Sequence, residues 1–314
     1  MARSPRPEPS GGLHPLSTEA LATSELGAGP RVVLAHGFTQ TGRSWGSVGA
    51  MLAQRYRVVL ADLPGHGQSG HVMASLEDGA TLLGAAGGRA AYVGYSMGGR
   101  HCLRLALDHP ELVTALVLVG ASPGIVDPED RRTRRAADEA LADRLDPPGQ
   151  AGAEGGPSPR DRAGPQGRPG PEGQASSGDG REATDERQRL DAFLAEWLAG
   201  PLFAHLPREA AGLEARRENT CAGLAASLRL AGAGAMEPLW DRLGALAVPT
   251  LLVVGKDDAR YRRIAERMAT AAERPIELAV VPGAGHAVPF EAPAAFAAIV
   301  RDFLEGTIGT TNPG

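Results

Sequence analysis

An α/β fold, with a doubly wound, mostly parallel sheet and an inserted helical cap, is what this sequence predicts, and three observations carry the prediction. Short apolar runs recur towards both ends of the chain, stretches of helical period separate them, and the alternation stops in the middle, where the pattern is helical. With 314 residues and 42% hydrophobic content the chain can fill one large core, so one domain with an insertion is expected rather than two independent domains.

Residues 1–28 are rich in Pro, Gly and Ser and are expected to form a disordered tail. The first strong strand signal is Arg31-Val-Val-Leu-Ala35, stopped by His36-Gly37. Similar runs follow at Tyr56 to Ala61, Ala90 to Val93, Ala115 to Val119, Thr250 to Val254 and Ile276 to Val281. Most are continuously apolar, as parallel strands covered on both faces require. Helical patterns lie between them at Ser44 to Gln54, Gly98 to Asp108, Tyr261 to Ala272 and Ala292 to Leu304. The core is therefore expected at 29–121 and 248–306. The segment 122–247 reads as a helical cap over the carboxyl ends of the strands, clearest at Asp191 to Leu198 and Ala222 to Leu230. Inside it, about 147–185 mixes Gly, Pro, Ser, Arg and Glu with hardly any large apolar residue. Such a stretch cannot offset its chain entropy by burial and is expected to be a disordered loop.

A net charge of -5 gives no general attraction to nucleic acid or anionic membranes, which leaves a small molecule in a local pocket as the expected partner. Lys256 is the only lysine among the basic residues, so arginine is abundant and a cluster of arginines carries less weight than usual. Two cysteines, Cys102 and Cys221, are too few for a disulfide framework and suit a reducing compartment. No apolar run reaches signal-peptide or membrane-spanning length, so the expectation is a soluble, cytoplasmic protein without membrane insertion. No Cys/His/carboxylate cluster has metal-ligand spacing and no phosphate-cradling loop is present, so neither metal nor cofactor is expected.

The pattern G-x-S-x-G marks a serine at a tight strand-to-helix turn, where the hydroxyl is lifted above the sheet. With 42 glycines a random order yields roughly 0.2 to 0.3 matches, so a bare match is weak. The sequence holds three, centred on Ser44, Ser96 and Ser122. The residue after the serine must donate its backbone N–H to a developing oxyanion, and Pro123 has none, which disfavours Ser122. Ser44 follows a polar loop and reads as a helix N-cap. Ser96 alone has an apolar strand before it and a helix after it, with Met97 free to donate.

A serine hydroxyl needs a histidine to take its proton, and the histidine needs a carboxylate to fix its tautomer. Asp257 and Asp258 follow the strand that ends at Val254, and His286 follows the one that ends at Val281, so all fall at carboxyl ends of strands, as Ser96 does. In this order of serine, acid and histidine the chain resembles enzymes of the α/β-hydrolase fold. That resemblance implies Asp258 over Asp257 by its G-x-x-D spacing, and a second oxyanion donor from the Phe38 N–H in His36-Gly37-Phe38. His36 and His66 are expected to brace loops.

Four stretches are similar to a narrower family, the 2-succinyl-6-hydroxy-2,4-cyclohexadiene-1-carboxylate synthases of menaquinone biosynthesis. They are His36 to Trp45, Gly94-Tyr-Ser-Met-Gly-Gly-Arg100, Glu196-Trp-Leu-Ala-Gly-Pro-Leu-Phe203, and Gly255-x-x-Asp258-x-Arg260-Tyr261, with weaker echoes at Pro128 to Asp138, Arg216-x-x-Asn219 and Gly232 to Trp240. The 147–185 stretch and the N-terminal tail have no counterpart in that pattern. The resemblance implies a lyase that eliminates pyruvate from a polycarboxylate without cofactor, Ser96 acting as a base with His286 and Asp258. It further implies Arg100, Arg134 and Arg216 as carboxylate-binding candidates, with Tyr95 and Trp197 lining the pocket. The alternatives are a carboxylesterase or carbon–carbon bond hydrolase with the same triad, and a ligand sensor without turnover.

Overall fold

The computed structural model describes residues 20–148 and 179–308. The chain runs β1 (Thr23–Leu26), β2 (Arg31–Ala35), α1 (Gly46–Leu52), β3 (Arg57–Ala61), α2 (Leu76–Gly87), β4 (Ala90–Tyr95), α3 (Met97–Asp108) and β5 (Val113–Val119). Four helices follow, α4 (Pro128–Leu145), α5 (Asp179–Leu198), α6 (Leu213–Arg216) and α7 (Cys221–Ala231). The alternation then resumes with β6 (Thr250–Gly255), α8 (Ala259–Ala271), β7 (Glu277–Val281), α9 (Val288–Glu291) and α10 (Pro293–Ile308). Seven strands form one sheet in the order β1-β3-β2-β4-β5-β6-β7, parallel except for β1.

The continuous apolar runs are explained by burial on both faces. Along β5, Leu116 and Leu118 enter the core on one side of the sheet, while Ala115, Val117 and Val119 enter the core on the other. A third, smaller core belongs to α4, α5 and α7, where Leu145, Phe193, Leu194, Leu224 and Leu228 meet. Fully burying a leucine or phenylalanine is worth about 1.5–3 kcal/mol, which is what binds these three helices to one another. Among the described residues no helix is long and apolar enough to cross a membrane.

Two expectations need correction, and one helix was not read in the sequence. Residues 20–28 were expected to belong to the disordered tail, yet Thr23 to Leu26 pair with Ala61 to Val58 as the antiparallel edge of the sheet. All four side chains of β1 are exposed, so backbone pairing makes this strand and side-chain pattern cannot announce it; residues 1–19 lie outside the described residues. The loop expected over 147–185 lies outside them at 149–178, but from Asp179 the chain is already helical. Its sequence there, Arg-Glu-Ala-Thr-Asp-Glu-Arg, is mostly good helix formers. Finally, α2 had no apolar signature because Gly79, Gly84 and Gly87 interrupt it. Those glycines allow close packing: a Cβ at Gly79 would stand 2.8 Å from His101 Nε2, and one at Gly84 would stand 2.7 Å from Leu105 Cδ1, both on α3.

His36, His66 and His101 are fully buried. His36 joins two strand-end loops, its Nδ1 meeting the Gly37 carbonyl at 2.8 Å while its Nε2 accepts the Leu63 N–H at 3.0 Å. Burial drives all three imidazoles from 6.5 down to about 3, so they stay neutral in the folded protein and are protonated near 6.5 when it unfolds. Their contribution to stability is complete above about pH 6.5 and is lost as pH falls from there towards 3, at up to about 1.4 kcal/mol per pH unit for each. Urea denaturation between pH 7 and pH 4.5 is expected to show this decline, and His101→Gln to make it shallower by up to one such increment. A pH slope identical in the variant would refute the assignment to buried imidazoles.

Candidate active site

Between the end of β4 and the start of α3 one residue makes the turn. Ser96 has φ 52° and ψ -107°, a conformation that costs a non-glycine residue about 1–3 kcal/mol. Glycines permit it: a Cβ on Gly94 would lie 2.5 Å from the Gly98 carbonyl oxygen, and one on Gly98 would lie 2.2 Å from that of Ala35. The strand therefore turns into its helix at closest approach, and the Ser96 side chain stands at the carboxyl end of the sheet.

His286, in the loop after β7, reaches Ser96 and Asp258 together. Its Nε2 lies 3.2 Å from Ser96 Oγ and its Nδ1 lies 2.8 Å from Asp258 Oδ2. Asp258 also caps α8, its Oδ1 accepting the Tyr261 N–H at 3.0 Å. Burial opposes ionisation of Asp258, but hydrogen bonds from His286 and the Tyr261 amide, with the nearby His286 and Arg260 charges, outweigh it and hold the carboxyl below its ordinary pKa. A carboxylate at Nδ1 orients the ring so that Nε2 can accept the serine proton. Asp257 is exposed and takes no part in this chain of contacts. Glu291 accepts the N–H groups of Gly285 and Ala287, which braces the His286 loop from both sides. A Cβ on Gly120, at φ 53°, would come within 2.9 Å of the His286 ring, so that glycine clears the imidazole's place.

Among the described residues the backbone N–H groups of Phe38 and Met97 find no acceptor. Both therefore keep a free hydrogen-bond donor, and both residues line the cavity that Ser96 borders. The other two G-x-S-x-G serines have local roles. Ser44 accepts the Thr41 N–H at 3.2 Å inside a 3₁₀ turn, so it is not the N-cap expected; Thr41 holds that place, one turn earlier. Ser122 borders the same cavity as Ser96 and accepts the Gly124 N–H at 3.2 Å.

The cavity over Ser96 is lined by Phe38, Met97, Arg100, Arg134, Trp197 and Arg260, among others. Burial pushes the Arg100 guanidinium down to about 10; Nη1 donates to the Ala231 carbonyl at 2.8 Å, and no carboxylate of the described residues lies within ion-pair distance. Arg134 donates through Nε to buried Asp138 at 2.8 Å. Tyr95 and Arg216, expected to contact a ligand, are not among the lining residues. Tyr95 lies behind His286, its ring centroid 5.4 Å from the imidazole, packed in the core on the far face of the sheet. Arg216 is 1% exposed and its donors are taken up by Ala211, Phe38 and Thr39. Sequence reasoning in turn passed over Arg260, Tyr261 and Glu291; the stretch Gly255 to Tyr261 contained the first two, whereas nothing marked Glu291. No group of metal-ligating side chains occurs among the described residues.

Residues 30–293 match the family model described as the alpha/beta hydrolase fold. The chain belongs to the α/β-hydrolase fold family. Within it, similarity runs to enzymes called 2-succinyl-6-hydroxy-2,4-cyclohexadiene-1-carboxylate synthase. The one from Serratia proteamaculans is 28% identical over 308 residues, covering 95% of this chain and 100% of that protein. The one from Enterobacter sp. is 29% identical over 285 residues, covering 88% and 92%. Among solved structures, MenH from S. aureus superimposes with a TM-score of 0.72 at 24% identity, covering 92% of this chain and 99% of that one, a likeness of fold.

The α/β-hydrolase turn leaves no room for a methyl group at position 98. Gly98→Ala is expected to displace the loop after β2 and to lower Ser96 reactivity by at least about 10²-fold, as misplacement of about 1 Å does. Labelling of Ser96 by a fluorophosphonate, timed against thermal stability, checks this. Labelling at the wild-type rate would mean that the close approach to Ala35 is not needed.

Proposed function

We propose that this protein, acting in the cytoplasm, eliminates pyruvate from 2-succinyl-5-enolpyruvyl-6-hydroxy-3-cyclohexene-1-carboxylate to give 2-succinyl-6-hydroxy-2,4-cyclohexadiene-1-carboxylate, a step of menaquinone biosynthesis. The observation that carries the reading is one cavity lined by Ser96, which is joined through His286 to Asp258, together with three arginines, Arg100, Arg134 and Arg260. An anion-binding wall next to a base suits a small polycarboxylate that must lose a proton. The similarity to proteins named as synthases of this product supports the same reading.

On this reading Ser96 Oγ takes a ring proton while its own proton passes to His286 Nε2. The ring C–O bond to the enolpyruvyl group breaks, a ring double bond forms, and the departing enolate receives the proton from His286 to leave as pyruvate. No water is consumed and no bond to the protein is made. Asp258 keeps the imidazole aligned and steadies its positive charge. The Phe38 and Met97 amides face the oxygen at which negative charge collects as the proton leaves. Arg100 and Arg134 hold carboxylates by charge-assisted hydrogen bonds, worth about 1.5–3 kcal/mol each.

The unpaired Phe38 and Met97 amides also favour a second reading, hydrolysis of an ester or carbon–carbon bond through an acyl-enzyme on Ser96. Supplying the enolpyruvyl precursor and following pyruvate with a coupled dehydrogenase separates the two. Pyruvate release is expected from the wild type, with kcat down by at least about 10³-fold in Ser96→Ala. Arg100→Ala is expected to lower kcat/KM by about 10- to 100-fold, mostly through KM. A folded protein that releases no pyruvate but gives a burst of nitrophenol from a nitrophenyl ester would replace the elimination reading with the hydrolytic one.

A further inference from the structure

Among the described residues two that are not glycine have a positive φ, Ser96 and Thr39, the latter at 67°. A β-branched residue in the left-handed region is held there by its surroundings. Thr39 follows Phe38, which lines the cavity over Ser96 and whose N–H has no acceptor among the described residues, and every polar group of Thr39 has a partner. Its N–H donates to His66 Nε2 at 3.3 Å. Its carbonyl accepts from Asn219 Nδ2 at 2.7 Å. Its hydroxyl accepts from Arg216 Nη1, which also reaches the Phe38 carbonyl at 3.4 Å.

Two of these partners come from one turn of the inserted helical segment, Arg216 to Asn219. That turn is itself well fixed. Arg216 Nε donates to the Ala211 carbonyl at 2.7 Å, the Asn219 amide also donates to the Arg216 carbonyl at 2.8 Å, and Asn219 Oδ1 accepts the Gly67 N–H at 2.9 Å. Arg216 is 1% exposed and Asn219 4% exposed. The acceptors of the Arg216 guanidinium are all neutral oxygens, and two of the three lie on residues 38 and 39. The Phe38 ring meets the same inserted segment, with Trp197 at 5.2 Å and Phe193 at 6.3 Å between ring centroids. The loop after β2 is thus gripped by the insertion at its side chain, its carbonyls and its hydroxyl.

We propose that Arg216 and Asn219 are positioning residues: by holding Thr39 in the left-handed region they set the place of the Phe38 N–H as an oxyanion donor. Release of Thr39 would let its φ swing to the ordinary negative range and rotate the Phe38–Thr39 peptide, one residue away from the donor. The inserted segment then does more than roof the cavity, since it completes the charge-stabilising half of the site. Arg216 acts through the loop and not through a ligand carboxylate. The inference rests on the reading of Ser96 as the reactive hydroxyl and Phe38 as its donor.

Asn219→Asp tests it in the full chain, because the carboxylate keeps the acceptor for Gly67 and removes the donor to Thr39. A fluorophosphonate reports on the oxyanion site independently of the natural substrate: Ser96 Oγ displaces fluoride from phosphorus, its proton passes to His286, and the phosphoryl oxygen lies where the oxyanion would. Labelling rate and kcat for pyruvate release are both expected to fall about 10- to 100-fold, with KM within about threefold. In a Thr39→Gly background, where glycine adopts this φ unaided, Asn219→Asp is expected to cost at most about threefold. Arg216→Lys, which keeps the charge but not the fork of donors, is expected to show the same split if Asn219→Asp does not fold. A wild-type labelling rate in a folded variant, or an equal loss in both backgrounds, would overturn the inference alone. A wild type that is never labelled would overturn the reading of Ser96 and the inference with it.

Discussion

The left-handed backbone of Ser96 is the constraint around which the site is arranged, and it is stable only because a large buried structure closes on it. All six residues of β4 are buried, and the Ser96 N–H is tied to the Val119 carbonyl of β5 at 2.8 Å. The glycines at 94 and 98 bring β4 and α3 so close that the chain between them has no relaxed alternative. The strain at one residue, about 1–3 kcal/mol, is small beside the core that enforces it. A hydroxyl presented in this way loses little freedom when it reacts, and its partners can be placed by other parts of the sheet.

Parallel pairing does that placing. Because β2, β4, β6 and β7 run the same way, the loops that leave their carboxyl ends open on one side of the sheet. Phe38, Ser96, Asp258 and His286 are far apart in sequence and adjacent in space for this reason. The insertion between β5 and β6 then covers the same side with α4, α5 and α7. Asp258 is committed to His286, and Asp138 to Arg134, whereas Arg100 has carbonyl oxygen and sulfur for partners. The cavity therefore keeps a surplus of positive charge in a protein whose net charge is -5. A local field of that sign, in partly desolvated surroundings, selects anions more effectively than overall charge would.

How much of this could be read in advance follows from where the information lies. The strands that pair on both sides are continuous apolar runs, so β2 to β6 were legible, and the glycine spacing about Ser96 and the strand-end positions of Asp258 and His286 were legible with them. Strand β1 was not, because it is made by backbone pairing with exposed side chains. Nor was α2, whose glycines serve contact with α3 and erase its apolar stripe. The arginines divide in the same way. Arg100 sits one helical turn from Ser96, a distance fixed by local geometry, and lies in the cavity as expected. Arg216 depends on how the insertion folds back over residues 38 and 39, which spacing does not encode. Glu291 was invisible because its role, accepting two amides of the His286 loop, is made of contacts to backbone.

A serine, a histidine and an aspartate in this geometry can support either proton removal or attack on a carbonyl, since both begin with transfer of the serine proton to the imidazole. What separates them is the atom presented to Ser96 Oγ, and that is decided by the groups that anchor the rest of the molecule. On the proposed reading, Arg100, Arg134 and Arg260 fix carboxylates at the wall, and a C–H bond comes to lie over the serine. No electrophilic carbonyl then needs to reach the point between Oγ and the two free amides. The same amides remain useful, because removal of a proton beside a carbonyl gathers negative charge on its oxygen much as addition to it would. On that reading the chemistry of the site turns on the positively charged wall of the cavity, with the strained turn supplying a reactive oxygen that either path could use.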